Sequence, residues 1–263
     1  MKTRPLGSTG LAVSVIGLGT VKIGRNQQVK YPRDFDIPND NTVRELFELA
    51  RSLGINFIDT APAYGSSEAR IGKLLPDRDD WVIMTKVGEI FEHGDSRFDF
   101  SAEHTRSSVE ASLRRLNRDV LDVVLVHSDG NDMDIINHTG AFESLEKLKQ
   151  QGLVRAYGMS SKTVEGGLWT VEHFDVVMAT CNPDYNEELP VLQRARDLNK
   201  GVVVKKGLQS GHADNQAGGS GIERAFEFVL SQPGVSSMIV GTIDPRHLRG
   251  NAELADRYAV AGD

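Results

Sequence analysis

The 263-residue sequence has one cysteine, Cys181, which excludes an internal disulfide framework and any multi-cysteine metal site and suits a reducing compartment. Redox chemistry, if the chain performs it, must then come from a cofactor. Long apolar runs are missing as well, since nothing approaches the roughly 20 uncharged residues of a membrane span. The start, Met1-Lys2-Thr3-Arg4-Pro5, lacks the apolar core of a signal peptide. A cytoplasmic protein with no membrane partner is expected. Basic residues are in deficit, 30 Lys and Arg against 37 Asp and Glu for a formal charge of -7, which disfavours nucleic acid, a partner held through clustered cations. His93, His104, His138, His173 and His212 show no metal-ligand spacing, so no metal is expected.

What the sequence does contain is alternation. Short β-branched runs recur between amphipathic segments at residues 13–18, 56–59, 81–85, 121–126, 154–159, 176–179, 201–204 and 237–240, the pattern of a parallel sheet with crossover helices. Helical spacing is clearest in Val43, Leu46, Phe47, Ala50 and Leu53. Gly54 marks a helix end, Ser101 a start, Gly152 and Gly201 two further ends, and Pro245 the start of the last helix. Eight such units in 263 residues predict an α/β fold of the closed (β/α)8 TIM-barrel class, one domain over residues 1–263. Turn formers between Arg4 and Leu11 predict a short N-terminal β-hairpin at the barrel floor. Irregular stretches at 24–40, 88–100, 129–138 and 209–220 all follow strands, at the end where βα loops build active sites.

Asp59 closes the second strand, Tyr64 lies in the loop after it, Lys86 closes the third strand and His127 the fourth. In a parallel barrel these ends face one mouth. Such a set suits reduction of a carbonyl, in which a hydride arrives at carbon from a cofactor while oxygen takes a proton from a positioned acid. Tyr64 is the natural donor. Its ordinary pKa of about 10 is high for that task. An ammonium at about 4 Å supplies on the order of 4 kcal/mol at an effective dielectric near 20, so Lys86 is expected to bring it down. Asp59 would hold that ammonium, and His127 would hydrogen-bond the carbonyl. Singly, the four read as a strand-end cap, a packing ring, a rim charge and a satisfied histidine; together at successive strand ends they are hard to explain as packing. Cys181 and Met178 read as packing. Tyr31, Phe35, Phe91, Phe98 and Phe100 fall in loops at the same end, either lining an apolar substrate pocket or anchoring the loops.

Asp59-Thr60-Ala61-Pro62-Ala63-Tyr64-Gly65 with Glu68, Thr85-Lys86-Val87-Gly88, and Ser112-Leu113-Arg114-Arg115-Leu116 leading through Leu121-Asp122 to His127 resemble the aldo-keto reductase family. The resemblance runs from Leu6-Gly7 to Asn251. It implies an NAD(P)H-dependent oxidoreductase that reduces a small aldehyde or ketone to an alcohol, with Tyr64 as general acid tuned by Lys86 and Asp59, and His127 orienting the carbonyl. It also implies NADP(H), or secondarily NAD(H), extended across the barrel mouth. Gly19, Thr20 and Asp59 would line that site, with Ser160 and Ser161 at the nicotinamide carboxamide. Ser161 stands for the family's Asn there, Met178 for a Gln, and Lys205 for a stacking aromatic. Leu208, Ser210 and Gly211 would cover the pyrophosphate. Gly241, Thr242, His247 and Asn251 would flank the adenosine, although Gly241 and His247 replace the Lys and Arg that clamp a 2′-phosphate. For that phosphate Thr242, a helix N-terminus and Arg246 or Arg249 remain, the plainer reading of both arginines being a solvated helix face. Two alternatives stand beside this one: a nicotinamide-binding regulatory or sensor protein of the same fold, and a lyase or isomerase forming a Schiff base on Lys86.

Overall fold

The computed structural model describes residues 1–215 and 220–259; residues 216–219, part of the stretch read as irregular over 209–220, lie outside the described residues. The chain begins with an antiparallel hairpin, β1 (Thr3–Pro5) and β2 (Ala12–Ser14). Leu6, Leu11 and Val13 of this hairpin are buried in the barrel's interior cluster, so it stoppers the floor as expected. The run at 13–18 is therefore two strands. Ser14 turns the chain by donating from Oγ to the Ile16 carbonyl at 2.7 Å, and β3 (Ile16–Gly19) then enters the barrel.

The first half of the barrel continues with α1 (Asp40–Ser52), β4 (Phe57–Asp59), α2 (Ser67–Leu74) and β5 (Val82–Val87). A second hairpin, β6 (Glu89–Glu92) and β7 (Asp95–Phe98), comes before α3 (Ala102–Leu116) and β8 (Leu121–His127). Then follow α4 (Asp132–His138), α5 (Ala141–Gln150), β9 (Val154–Ser160), α6 (Val164–His173) and β10 (Val176–Thr180). The chain ends with α7 (Leu189–Asp197), β11 (Gly201–Lys205), α8 (Ser220–Leu230), β12 (Ser237–Val240) and α9 (Pro245–Tyr258). Eight parallel strands close in the order β10-β11-β12-β3-β4-β5-β8-β9, the (β/α)8 fold.

Strand alternation sorts the core into two layers. Ile58, Ile83, Val124, Val126, Val177 and Val204 point outward into the shell shared with the helices, whereas Phe57, Met84, Val123, Leu125, Val176 and Val203 fill the interior. Helix punctuation follows the sequence in most places. Ser101 Oγ accepts from His104 N at 3.2 Å, and Gly54 and Gly152 take φ of 77° and 76° after α1 and α5. Gly201 differs: it is the first residue of β11. The left-handed stop after α7 is Asn199, at φ 52°, a residue that tolerates this conformation. Two stretches read as irregular carry structure, namely the β6–β7 hairpin and α4, both too short for periodicity to reveal. Among the described residues no helix is long and apolar enough to cross a membrane.

Candidate active site

The alternation that buries the core also decides which side chains ring the mouth. Two positions beyond inward Phe57 and Met84 come Asp59 and Lys86; two beyond Leu125, Met178 and Val203 come His127, Thr180 and Lys205. Asp59 and Lys86 form a direct ion pair with side chains 7 % and 2 % exposed, and the ammonium also donates to the Thr60 carbonyl at 2.9 Å. The carbonyl bond and the carboxylate together offset much of the cost of burying an ammonium.

Tyr64 ends a short turn, Pro62–Tyr64. Gly65 follows at φ 62°, and a Cβ there would stand 2.3 Å from the Gly24 carbonyl oxygen. Only glycine allows the two loops to approach so closely, and that contact sets the ring over the mouth. Lys86 Nζ lies 4.8 Å from the Tyr64 ring centroid, and the Tyr64 and His127 rings meet edge to face at 6.4 Å. The structure thus brings Asp59, Tyr64, Lys86 and His127 together. It does not show the expected lowering of Tyr64. Burial first, then the charges of Asp59 and Glu89, push the phenol well above its ordinary value, and Arg25 alone pulls the other way. The physical reason is that the charge of Lys86 is already matched by Asp59, while two carboxylates face the phenol.

Glu89, the first residue of β6, is a site residue that sequence reasoning missed. Its Oε2 lies 2.8 Å from His127 Nδ1. No well-aligned hydrogen bond reaches Nδ1, and Glu89 raises the ring both through this close contact and through its charge. Ser96 Oγ donates to the other oxygen at 2.7 Å. Burial draws His127 below the ordinary imidazole value; Glu89 works upward, Lys86 and Lys205 downward.

Around the mouth, the residues expected to hold a dinucleotide divide. Ser160 Oγ accepts from Lys205 Nζ at 2.8 Å, and Ser161 lends Lys205 its carbonyl while its buried hydroxyl has no partner. Burial brings Lys205 down to about 7, partly opposed by Glu188. Glu188 is 1 % exposed, and its Oε2 is also without a partner. It lines a cavity of about 400 Å³ with Lys30, Lys162, Lys206, Tyr185 and Ser210. Three lysines, an unpartnered buried hydroxyl and one unpartnered carboxylate oxygen suit the phosphates and amide of a nicotinamide dinucleotide. Ser210 and Gly211 adopt left-handed φ of 57° and 92°, and Leu208 packs against the core.

Several other expected contacts are already engaged within the chain. Met178 is 2 % exposed within the interior cluster, one inward position deeper than Thr180, so it packs below the mouth. Thr20 Oγ1 donates to the Asp59 carbonyl at 2.8 Å and accepts from Ser67 at 2.8 Å. Gly19 and Gly241 adjoin, the second lying near the Tyr31 hydroxyl. Thr242 Oγ1 accepts from Asp244 N at 3.1 Å, Asn251 is 8 % exposed, and His247 is exposed. Asp244 itself caps α9 and binds Arg246 at 2.8 Å. The helix N-terminus and one of the two arginines expected for a 2′-phosphate, Arg246, are therefore engaged by a carboxylate, while Arg249 is exposed. Of the loop aromatics, Tyr31 reaches the mouth. Phe91 lies under the Arg25 guanidinium at 3.5 Å, and Phe98 stacks with Phe100, so these three anchor the hairpin. Glu68, in the Tyr64 motif, accepts from Thr85 at 2.5 Å and Arg115 at 2.7 Å, tying α2 to β5 and α3. Thr180 was legible from the two-residue period; Glu89 and Glu188 carry no sequence signal.

Comparison with known proteins agrees with this geometry. The family model described as Aldo/keto reductase family matches residues 15–218. L-galactose dehydrogenase of Arabidopsis thaliana is 33% identical over 80% of this chain and 66% of its own length, a little under two thirds. A crystal structure from Pseudomonas aeruginosa, described as an aldo-keto reductase, is 50% identical, with a TM-score of 0.89 over 97% of this chain and 95% of that one. The holo form of an aldo-keto reductase from Bacillus halodurans is 25% identical, with a TM-score of 0.80 over 100% and 92% of the two chains.

Proposed function

Since the chain belongs to the Aldo/keto reductase family, we propose that it is a nicotinamide-dependent oxidoreductase interconverting a small aldehyde or ketone and its alcohol. The single observation that carries this reading is the convergence of Tyr64, His127 and the Lys86–Asp59 pair at the barrel mouth. The bound nicotinamide supplies and accepts the hydride. Everything else falls to the chain's own groups. Ser161, Lys205 and Glu188 would hold the amide end, and Lys30, Lys162 and Lys206 would face the phosphates. Tyr64 keeps its proton until the substrate oxygen gathers negative charge, then donates it. Lys86, 4.8 Å from the ring centroid, stabilises the phenolate as it forms, which is when a nearby ammonium helps. His127 meets the same oxygen and fixes its direction. At α9 the capped N-terminus favours NAD(H) over NADP(H).

Tyr64→Phe tests the role of the acid. Turnover is expected to fall by about 10²–10⁴-fold, the usual worth of general acid catalysis, while nicotinamide affinity by fluorescence titration stays within about twofold. The assay panel takes in aldoses, because L-galactose dehydrogenase is among the relatives. A variant that keeps most of its rate removes Tyr64 from the mechanism. Saturable nicotinamide binding without turnover of any carbonyl or alcohol in the native chain would instead favour a sensor.

A further inference from the structure

The β6–β7 hairpin delivers a carboxylate to the nitrogen of His127 that faces away from substrate. Nδ1 is buried while the side chain keeps 20 % exposure, which leaves the Nε2 edge as the face a substrate meets. Glu89 Oε2 stands 2.8 Å from Nδ1. Its other oxygen is fixed by Ser96 at 2.7 Å and by the Arg25 guanidinium at 3.4 Å. Arg25 is held in turn by the Ala63 and Gln27 carbonyls at 3.1 and 2.9 Å and by the Phe91 ring. Burial pushes Glu89 upward, but His127, Ser96 and Arg25 outweigh it and bring it down to about 2, so the carboxylate is an anion at every working pH.

An anionic oxygen and a nitrogen lone pair repel at 2.8 Å, so the proton of a neutral imidazole belongs on Nδ1. A neutral imidazole has one N–H only, which makes Nε2 an acceptor. An acceptor meets an alcohol hydroxyl favourably and a carbonyl oxygen unfavourably. We propose that Glu89 is a positioning residue: it pins a proton on Nδ1 of His127, so that the neutral ring receives a substrate hydroxyl and takes a carbonyl only once Nε2 is protonated as well. This rests on the reading above that His127 meets the substrate oxygen. The groups facing the ring are Glu89 from β6, Lys86 from β5, Lys205 from β11 and the Tyr64 ring from the turn after β4. Among the described residues, Glu89 is the one that brings a negative charge to it directly. Both lysines oppose protonation, so the charged ring exists by virtue of Glu89.

The test uses the full chain labelled with ¹⁵N-histidine, with His127 assigned by His127→Asn. In the native protein at neutral pH the ring is expected to carry its proton on Nδ1. In Glu89→Gln the amide can donate to Nδ1; the proton is then expected to shift to Nε2, and the protonation midpoint to fall by about one unit or more, as loss of a contact charge requires. Kinetically, the native kcat/KM for carbonyl reduction falls as pH rises through the His127 midpoint, and Glu89→Gln flattens that fall. A native ring protonated on Nε2, or a tautomer and midpoint unchanged in Glu89→Gln, overturns the proposal. The ring measurement needs no turnover. The expected spectra from a chain that converts no carbonyl and no alcohol would overturn the functional reading and leave the role of Glu89 standing.

Discussion

Removing the ammonium of Lys86 leaves Asp59 as an unmatched buried carboxylate, the costly way to break such a pair. Lys86→Met is expected to destabilise the protein by roughly 3–5 kcal/mol in denaturant unfolding. Asp59→Leu with Lys86→Met removes both charges and is expected to regain most of that loss while remaining inactive. A double variant no more stable than Lys86→Met alone would mean that the pair itself stabilises the barrel and is not merely tolerated there. At this scale the sequence was informative where chemistry repeats with strand geometry. Asp59, Lys86 and His127 could be placed because an inward position at a strand end needs only the two-residue period. The raised pKa of Tyr64 could not, because it depends first on burial and then on Asp59, Glu89 and Arg25, and the burial and the approach of the last two are set by loop packing and not by spacing.

At the level of elements, the capped end of α9 is the feature on which the proposed cofactor preference rests. Asp244 accepts from Arg246 N at 2.8 Å and pairs with the Arg246 side chain, and Arg246 holds its carboxyl well below the usual range. A 2′-phosphate arriving here meets a carboxylate where a helix would otherwise offer bare N–H groups. Asp244→Ser keeps a capping oxygen, removes the charge and frees Arg246. The ratio of NADPH to NADH affinity is expected to rise by on the order of tenfold in paired titrations; an unchanged ratio would place the adenosine end elsewhere. The helix start itself was readable from Pro245. That its N-terminus was already filled was not, because a capping aspartate and a solvent-facing one look alike in sequence.

For the molecule as a whole, stability should carry the mark of the mouth. Lys205 is held down to about 7, chiefly by burial, against 10.5 for an ordinary lysine. Between those values the unfolded chain binds a proton that the folded chain lacks, so folding stability rises with pH across that window. Below pH 7 the lysine is charged in both states and adds no slope. In Lys205→Met the gain in thermal midpoint between pH 7 and pH 9 is expected to shrink; an unchanged gain would mean that Lys205 titrates normally. The barrel that sets this environment was legible from eight alternating runs, since each parallel strand must bury both faces. The β6–β7 hairpin was not, because it pairs only with itself and buries little. That independence extends only to the ladder. The hairpin leaves the barrel after Val87 and rejoins the chain before α3, and Arg25, from the loop after β3, fastens it through Glu89 and Phe91. The charge partner of His127 is therefore held jointly by two loops, so a change in either one reaches the ring.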